Sequence, residues 1–441
     1  MFGAIESAFR IPELKRRIFW TMGLLVVYRL GGHLPTPGVD GKALTDFFDT
    51  QAQGTLFGLY DLFAGGNFKK ATIFALGIMP YISASIIFQL FGSVIPYFER
   101  LRKEGEEGQK RISQYTRYST VILAAIQAYG IAFFLESLNS QIPGGVVATP
   151  GLAFRLLTVL TLTTGTMFVM WLGETITERG IGNGISLIIM IGILARSPYD
   201  IINTIRSVQQ GALNPFILGL IVVFMFAVTA LVVFVNNAQR RVPVQYARRM
   251  VGRRMYGGQS THIPLRVITA GVIPIIFAQS IIIFPSTLGS FFPDSEVVAR
   301  IVNWFAPGSP LYILLYAALI IFFTYFYTAI VFNPVDLSEN MKKFGGFIPG
   351  IQPGKHTADY LDKILLRITL PGAIFLAAIA ILPDLLIRYG NIPFYFGGTS
   401  LLIMVSVILD TLKQIESHLL MRHYDGFMRK GKMKAQGMRT N

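Results

Sequence analysis

Cysteine is absent from the 441 residues, so disulfides, thiolate nucleophiles and thiolate metal ligands are excluded. Charge is scarce. Asp, Glu, Lys and Arg make up 14% of the chain, against roughly 25% for a soluble domain. The five histidines (His33, His262, His356, His418 and His423) show no metal-ligand spacing. His418 and His423 are five apart, not the four that place two ligands on one helix face. The run Gly180-Ile181-Gly182-Asn183-Gly184 has no strand before it and no Lys-Ser/Thr after it. It therefore reads as a tight turn and not as a phosphate cradle. No carboxylate pair or nucleophile constellation emerges, which leaves an enzyme reading without a residue to stand on and requires no cofactor.

What is present is apolar. Hydrophobic residues make up 52% and the mean hydropathy is +0.53, which places most of the chain in lipid. Ten segments come near the length needed to cross hydrocarbon. They are Ile18–Leu34, Thr72–Phe91, Ser119–Leu135, Leu156–Leu172, Ile185–Ile205, Phe216–Val235, Val267–Leu288, Leu311–Phe332, Ile368–Ile387 and Ser400–Leu420. The fifth has a clean apolar core only as far as Ala195, and the tenth carries Asp410 and Lys413. Lys15, Arg16 and Arg17 precede the first run and no small-residue cleavage site follows it, which predicts a retained span.

Of the 39 Lys and Arg, 30 fall in segments on one side of these spans and 8 on the other, with Arg29 inside the first. The positive-inside rule then puts both termini in the cytoplasm. The fold expected is an all-α membrane protein of ten transmembrane helices. Ten divide as five plus five, and an odd number per half inverts the second half relative to the first. The halves expected are residues 1–210 and 211–441.

Three further features stand out. Asn236–Arg266 holds seven arginines and no Asp or Glu. That loop enforces topology, or it binds an acidic protein, ribosomal RNA or anionic lipid. Asn333–Arg367 is mixed in charge and rich in turn formers. Leu56–Ala64 (LFGLYDLFA) is apolar but too short to cross, with Gly54 before it and Gly65-Gly66 after. Irregular backbone at membrane depth is tolerated only inside a water-lined cavity, so this segment is a candidate stopper. Ile78, Ile82 and Ile86 form an i, i+4, i+8 stripe, which fits ordinary packing or a special surface. Pro80 would bend that helix or free a carbonyl. Ser83 and Gln127 are candidates for polar contacts between helices. An ion-coupled transporter would need a committed intramembrane acid; Glu174, Asp384 and Asp410 fall near span edges, and Arg29 can snorkel. An insertase or scramblase without a central pore also fits the composition.

Several long strings carry a resemblance: Ile73–Gln89 (IFALGIMPYISASIIFQ), Lys103–Tyr118 (KEGEEGQKRISQYTRY), Gly165–Ser186, Gln259–Ile276, Val331–Pro334, Phe344–Gly354 and Pro393–Ile403 (PFYFGGTSLLI). Over nearly its whole length the sequence resembles the SecY/Sec61-alpha family, the channel-forming subunits of the protein-export machinery. The resemblance implies a clamshell of two five-helix halves around a pore, in the bacterial cytoplasmic membrane. It implies a pore ring at Ile78, Ile82, Ile189, Ile193, Ile276 and Ile403. It implies a plug over Phe57, Leu59, Tyr60, Leu62 and Phe63. A lateral gate falls on Ser83, Ile86, Gln127 and Gln279. Loops that receive a motor or ribosome fall on Arg248, Arg249, Arg253, Arg254, Gln352 and Lys355. The partners implied are the small subunits SecE and SecG, the SecA ATPase, the ribosome, signal sequences and nascent polypeptides, and anionic lipid, with YidC and SecDF beyond them. One position departs from the pattern: many bacterial relatives have PGIRPG where this chain has Gln352, with Lys355 the nearest cation.

Overall fold

The computed structural model describes residues 11–50, 56–140, 142, 144–211, 214–246, 249–251, 254–256, 260–289, 296–306, 308–390 and 399–437. Two compact units result. One takes Met1–Tyr199, Ile283–Asn303 and Val407–Asn441; the other takes Asp200–Ile282 and Trp304–Ser406.

The first unit opens with α1 (Pro12–Gly31), α2 (Gly41–Thr50) and the short α3 (Leu56–Ala64). It continues through α4 (Met79–Val94), α5 (Pro96–Lys103), α6 (Glu106–Ser137), α7 (Leu152–Arg179) and the first part of α8 (Gly184–Gln209). The second holds α9 (Pro215–Asn237), most of α10 (Ile273–Gly289), α12 (Pro310–Val331), α13 (Pro334–Lys343) and α14 (Lys355–Gly390). Between α10 and α12 lies α11 (Glu296–Trp304), and α15 (Thr399–Gly437) ends the chain. Among the described residues, five helices are long and apolar enough to cross a membrane: α6, α7, α9, α12 continued into α13, and α14. Counting α4 and α5 as one span, bent by 95°, makes six.

Helices α6 and α7 pack along each other. Gly165 on α7 admits a different neighbour: a Cβ there would collide with the carbonyl oxygen of Ile73, in the segment before α4. An ion pair closes each end. Arg117 Nε donates to Glu174 Oε1 at 3.0 Å, with Nη2 2.9 Å from Oε2. At the other end Arg155 Nε donates to Glu136 Oε2 at 2.8 Å, and its guanidinium lies 4.0 Å over the Phe133 ring. Glu174 is therefore engaged by a cation.

The second apolar run differs from the expectation of a helix starting at Thr72. Residues 72–78 form turns, and the helix begins at Met79. Pro80 is the reason. In a helix interior its ring would clash with the carbonyl four residues back, while in the first turn its missing N–H costs nothing. The turn segment is pinned elsewhere. Ile73 N donates to Leu34 O at 3.0 Å, and Phe74 stacks on Tyr28 (5.8 Å) and Phe168 (6.0 Å).

The expectation of an all-α chain also needs amending. The arginine-rich loop forms β1 (Gln239–Tyr246), β2 (Arg249–Val251), β3 (Arg254–Tyr256) and β4 (Ser260–Arg266). β5 (Gly346–Phe347), from the second loop, pairs antiparallel with β1. The two loops thus share one sheet, ordered β4-β1-β5. Beneath it Val242, Val244 and Leu265 pack with Met341, Ile348 and Leu361 into a small core. The first turns of α14 belong to this module. Leu361 is fully buried there, so Leu361→Ala should cost about 2–5 kcal/mol. The expected readout is faster tryptic cleavage between β1 and β4; an unchanged cleavage rate would show that the module does not depend on this core.

Candidate functional site

Helix α3 is nine residues long, and what it packs on decides where it stays. Tyr60, Asp61, Phe63 and Ala64 are all buried. Tyr60 donates its hydroxyl to Leu76 O at 3.2 Å, and its ring meets Phe68 at 5.0 Å. Asp61 accepts from Lys69 N at 3.0 Å. After Ala64 the chain reverses through Gly65 (φ +72°) and Gly66 (φ +79°), a conformation that favours glycine. The side chains of Phe57, Leu59 and Leu62 lie outside the described residues.

Two close approaches fix the helix end. A Cβ on Gly65 would lie 2.7 Å from the Gly192 Cα of α8, and one on Gly192 would lie 2.9 Å from the Gly65 Cα. A Cβ on Gly77 would lie 3.3 Å from the Ala64 Cα. Gly77 adjoins Ile78, and Gly192 adjoins Ile193. The short helix therefore rests on the two segments that carry Ile78, Ile82, Ile189 and Ile193. All four isoleucines are 3% exposed or less. In the second unit Ile276 and Ile403 are buried as well.

Ser83 is half-buried and Ile86 buried on α4, which packs against α6. Gln127 on α6 and Gln279 on α10 are buried, and Gln127 Oε1 and Gln279 Nε2 have no hydrogen-bond partner among the described residues. Such atoms are uncommon in a dry interior and normal in one that admits water. Where α5 turns away from α4, Lys103 Nζ sits 2.6 Å from a Glu99 carboxyl oxygen and holds that carboxyl below its ordinary range. Both groups are exposed, so the pair adds little stability.

The sheet module presents Arg240, Arg241 and Arg266 to solvent. Arg249 and Arg254 sit in the β2–β3 hairpin, where Val251 pairs with Arg254; Arg248 and Arg253 fall outside the described residues. Gln352 and Lys355 are exposed, the first on a turn and the second at the start of α14; the turn is tied down by Thr357, whose hydroxyl donates to Gln352 O at 2.9 Å, and by Ser338, whose hydroxyl donates to Gly354 O at 2.6 Å. No group of His, Asp or Glu suited to a metal ion occurs among the described residues.

The SecY family model matches residues 72–412. The chain belongs to the SecY family. It is 50% identical over 432 residues to the protein translocase subunit SecY of Escherichia coli strain K12, covering 97% of this chain and 96% of that protein. It is also similar to a solved structure described as showing that the SecY plug domain stabilises the closed state of the translocation channel (TM-score 0.64, 18% identity, 94% and 96% coverage). A third match is Sec61 in the canine ribosome–channel complex (TM-score 0.60, 17% identity, 94% and 96% coverage). At those identities the two structures establish the fold alone. This SecY-family chain is a membrane-embedded translocase subunit and not an enzyme.

Sequence reasoning missed two contacts in this SecY-family fold. The Gly65–Gly192 approach left no local trace, because a glycine looks alike whether it turns the chain or admits a neighbour. The shared sheet did leave one. Val242 and Val244, and Ile263 and Leu265, alternate with exposed residues, the period of a half-buried strand.

Proposed function

We propose that this chain is the channel through which unfolded secretory polypeptides cross the bacterial cytoplasmic membrane, and from which membrane segments leave sideways into lipid. One observation carries the reading: a buried helix too short to span is held against the two segments bearing Ile78, Ile82, Ile189 and Ile193. In this reading those four and Ile276 and Ile403, from the two inverted five-helix halves at residues 1–210 and 211–441, form one collar. Isoleucine offers a passing chain no hydrogen bond to grip, and an empty apolar constriction dewets and resists ions. Helix α3 is the plug. Ser83, Ile86, Gln127 and Gln279 line the lateral gate, and the spare hydrogen-bonding atoms of the two glutamines suit a seam that meets water when it parts.

The remaining assignments rest on charge and likeness. Thirty basic residues on one side place both termini and the sheet module in the cytoplasm. There Arg240, Arg241, the hairpin arginines Arg249 and Arg254, their sequence neighbours Arg248 and Arg253, and Lys355 near Gln352 would receive SecA or the ribosome. The ribosome-bound structural neighbour supports the second. SecE, SecG, YidC, SecDF and anionic lipid are the further partners proposed.

Photo-crosslinkers at Ile82 and Ile403 test the reading. A stalled secretory chain should crosslink at both positions. Crosslinks confined to Val223 and Phe226 on the exposed face of α9, 69% and 73% exposed, would replace the channel by a poreless insertase.

A further inference from the structure

We propose that Asn67 is the positioning residue that latches α3 shut, through a closed triangle of hydrogen bonds with Tyr28 and the last carbonyl of the helix. The inference rests on the channel reading above and adds the group that sets its resting state. Asn67 Nδ2 donates to Ala64 O at 2.6 Å and to the Tyr28 hydroxyl at 3.3 Å. The Tyr28 hydroxyl donates to Ala64 O at 3.4 Å. Two amide protons and one hydroxyl proton thus meet one carbonyl with two lone pairs and one hydroxyl oxygen, so each donor has an acceptor.

The geometry matters because Ala64 O is the end of a helix in a dry place. The last carbonyls of a helix have no partner within it and usually take water. Ala64 is 0% exposed, and Asn67 and Tyr28 are each 2% exposed. The capping comes from side chains, and the bond from Asn67, at 2.6 Å, is shorter than that from Tyr28, at 3.4 Å. Tyr28 is the fixed arm: it sits on α1 with its ring stacked on Phe74. Asn67 is the local arm, three residues beyond Ala64 and past the Gly65-Gly66 reversal. Its own carbonyl accepts from Thr72 N at 3.0 Å, which ties it to the turn leading to Ile78. Gly65 lies so close to Gly192 that the helix end cannot slide without lifting off. Lifting breaks the triangle, and breaking the triangle leaves a carbonyl that only water can satisfy. The plug is therefore either latched and dry or released and wet.

The test uses the full chain, purified with the membrane subunits that accompany it and reconstituted into planar bilayers. Resting ion conductance is compared with conductance when a stalled polypeptide occupies the channel. Asn67→Ala should raise the resting value by roughly tenfold or more, the effect of orphaning one buried carbonyl, and leave the occupied value unchanged. Tyr28→Phe, which keeps the ring on Phe74, should raise it in the same direction. The double variant should leak less than the product of the two single effects, because both break one triangle. Resting conductance equal to the wild type in both single variants, or fully multiplicative effects, overturns the latch. Should Asn67→Ala fail to assemble, Tyr28→Phe decides alone. A wild-type chain that never conducts with polypeptide present overturns the channel reading instead, so the two failures are distinguishable.

Discussion

Valine in place of Gly192 unseats α3, and a cysteine placed at Phe63 then reacts with a maleimide at least about tenfold faster than in the parent, since overpacking of this kind costs about 1–3 kcal/mol. The native chain has no cysteine, so the introduced thiol is the only one to read. In the parent, Phe63 is 3% exposed and should be nearly unreactive. The argument turns on what the new side chain meets. Already the Cβ of any residue at 192 would lie 2.9 Å from the Gly65 Cα, and that neighbour is backbone, which cannot rotate aside as a side chain would. Gly65 stands at φ +72° and cannot yield to another turn type without moving Ala64. The strain falls on the least anchored partner, the nine-residue α3, while α8 keeps its own helical ladder. Gly219→Val on α9 is the control, because a Cβ there meets nothing within 4 Å. Equal thiol reactivity in Gly192→Val and its parent would show that this contact does not hold the helix.

The second large effect is expected at Ile82. Asn there has as many side-chain heavy atoms as isoleucine, so it adds no bulk, but it brings an amide into a place where the native side chain is 3% exposed. Burying that amide without a partner costs about 1–3 kcal/mol, and admitting water removes the cost. A collar that wets conducts ions, so the resting leak of Ile82→Asn in reconstituted bilayers should rise about tenfold or more. Ile87→Asn lies on the same helix at a position 38% exposed and should leave the leak unchanged. An Ile82→Asn channel as tight as the parent would remove Ile82 from the collar. In the proposed channel the two positions bear on separate barriers, plug and collar, so combining Gly192→Val with Ile82→Asn should leak more than either alone.

How much of this was legible in the chain differs from element to element. Leu56–Ala64 was readable to the residue, because glycines bracket an apolar run too short to cross and the helix occupies that same span. The charge after Ala195 marks no break in the helix, for α8 runs on from Gly184 to Gln209. Thr72–Ile78 was not readable. Its apolar composition matches the helix after it; Pro80 marks where the helix can begin, but the bond from Ile73 to Leu34 and the packing of Phe74 hold the preceding segment as a turn. Nor was Glu174, whose cation is 57 residues away on α6. The long extension of α14 down to Lys355 was hidden for the same reason, since its first turns are stabilised by a sheet made from another loop.

The sequence by itself determined that this chain lives in lipid, which segments are apolar enough to enter it, where basic charge collects, and which family it resembles. Those properties are sums over neighbouring residues, and burial in hydrocarbon acts on each segment separately. Only the tertiary structure decided that Gly65 meets Gly192, that Asn67 and Tyr28 close over Ala64, and that two loops a hundred residues apart share one sheet. Those outcomes need groups remote in the chain to meet: Tyr28 bonds to Asn67, 39 residues on, at 3.3 Å and to Ala64, 36 residues on, at 3.4 Å, and such distances exist only once the helices have packed.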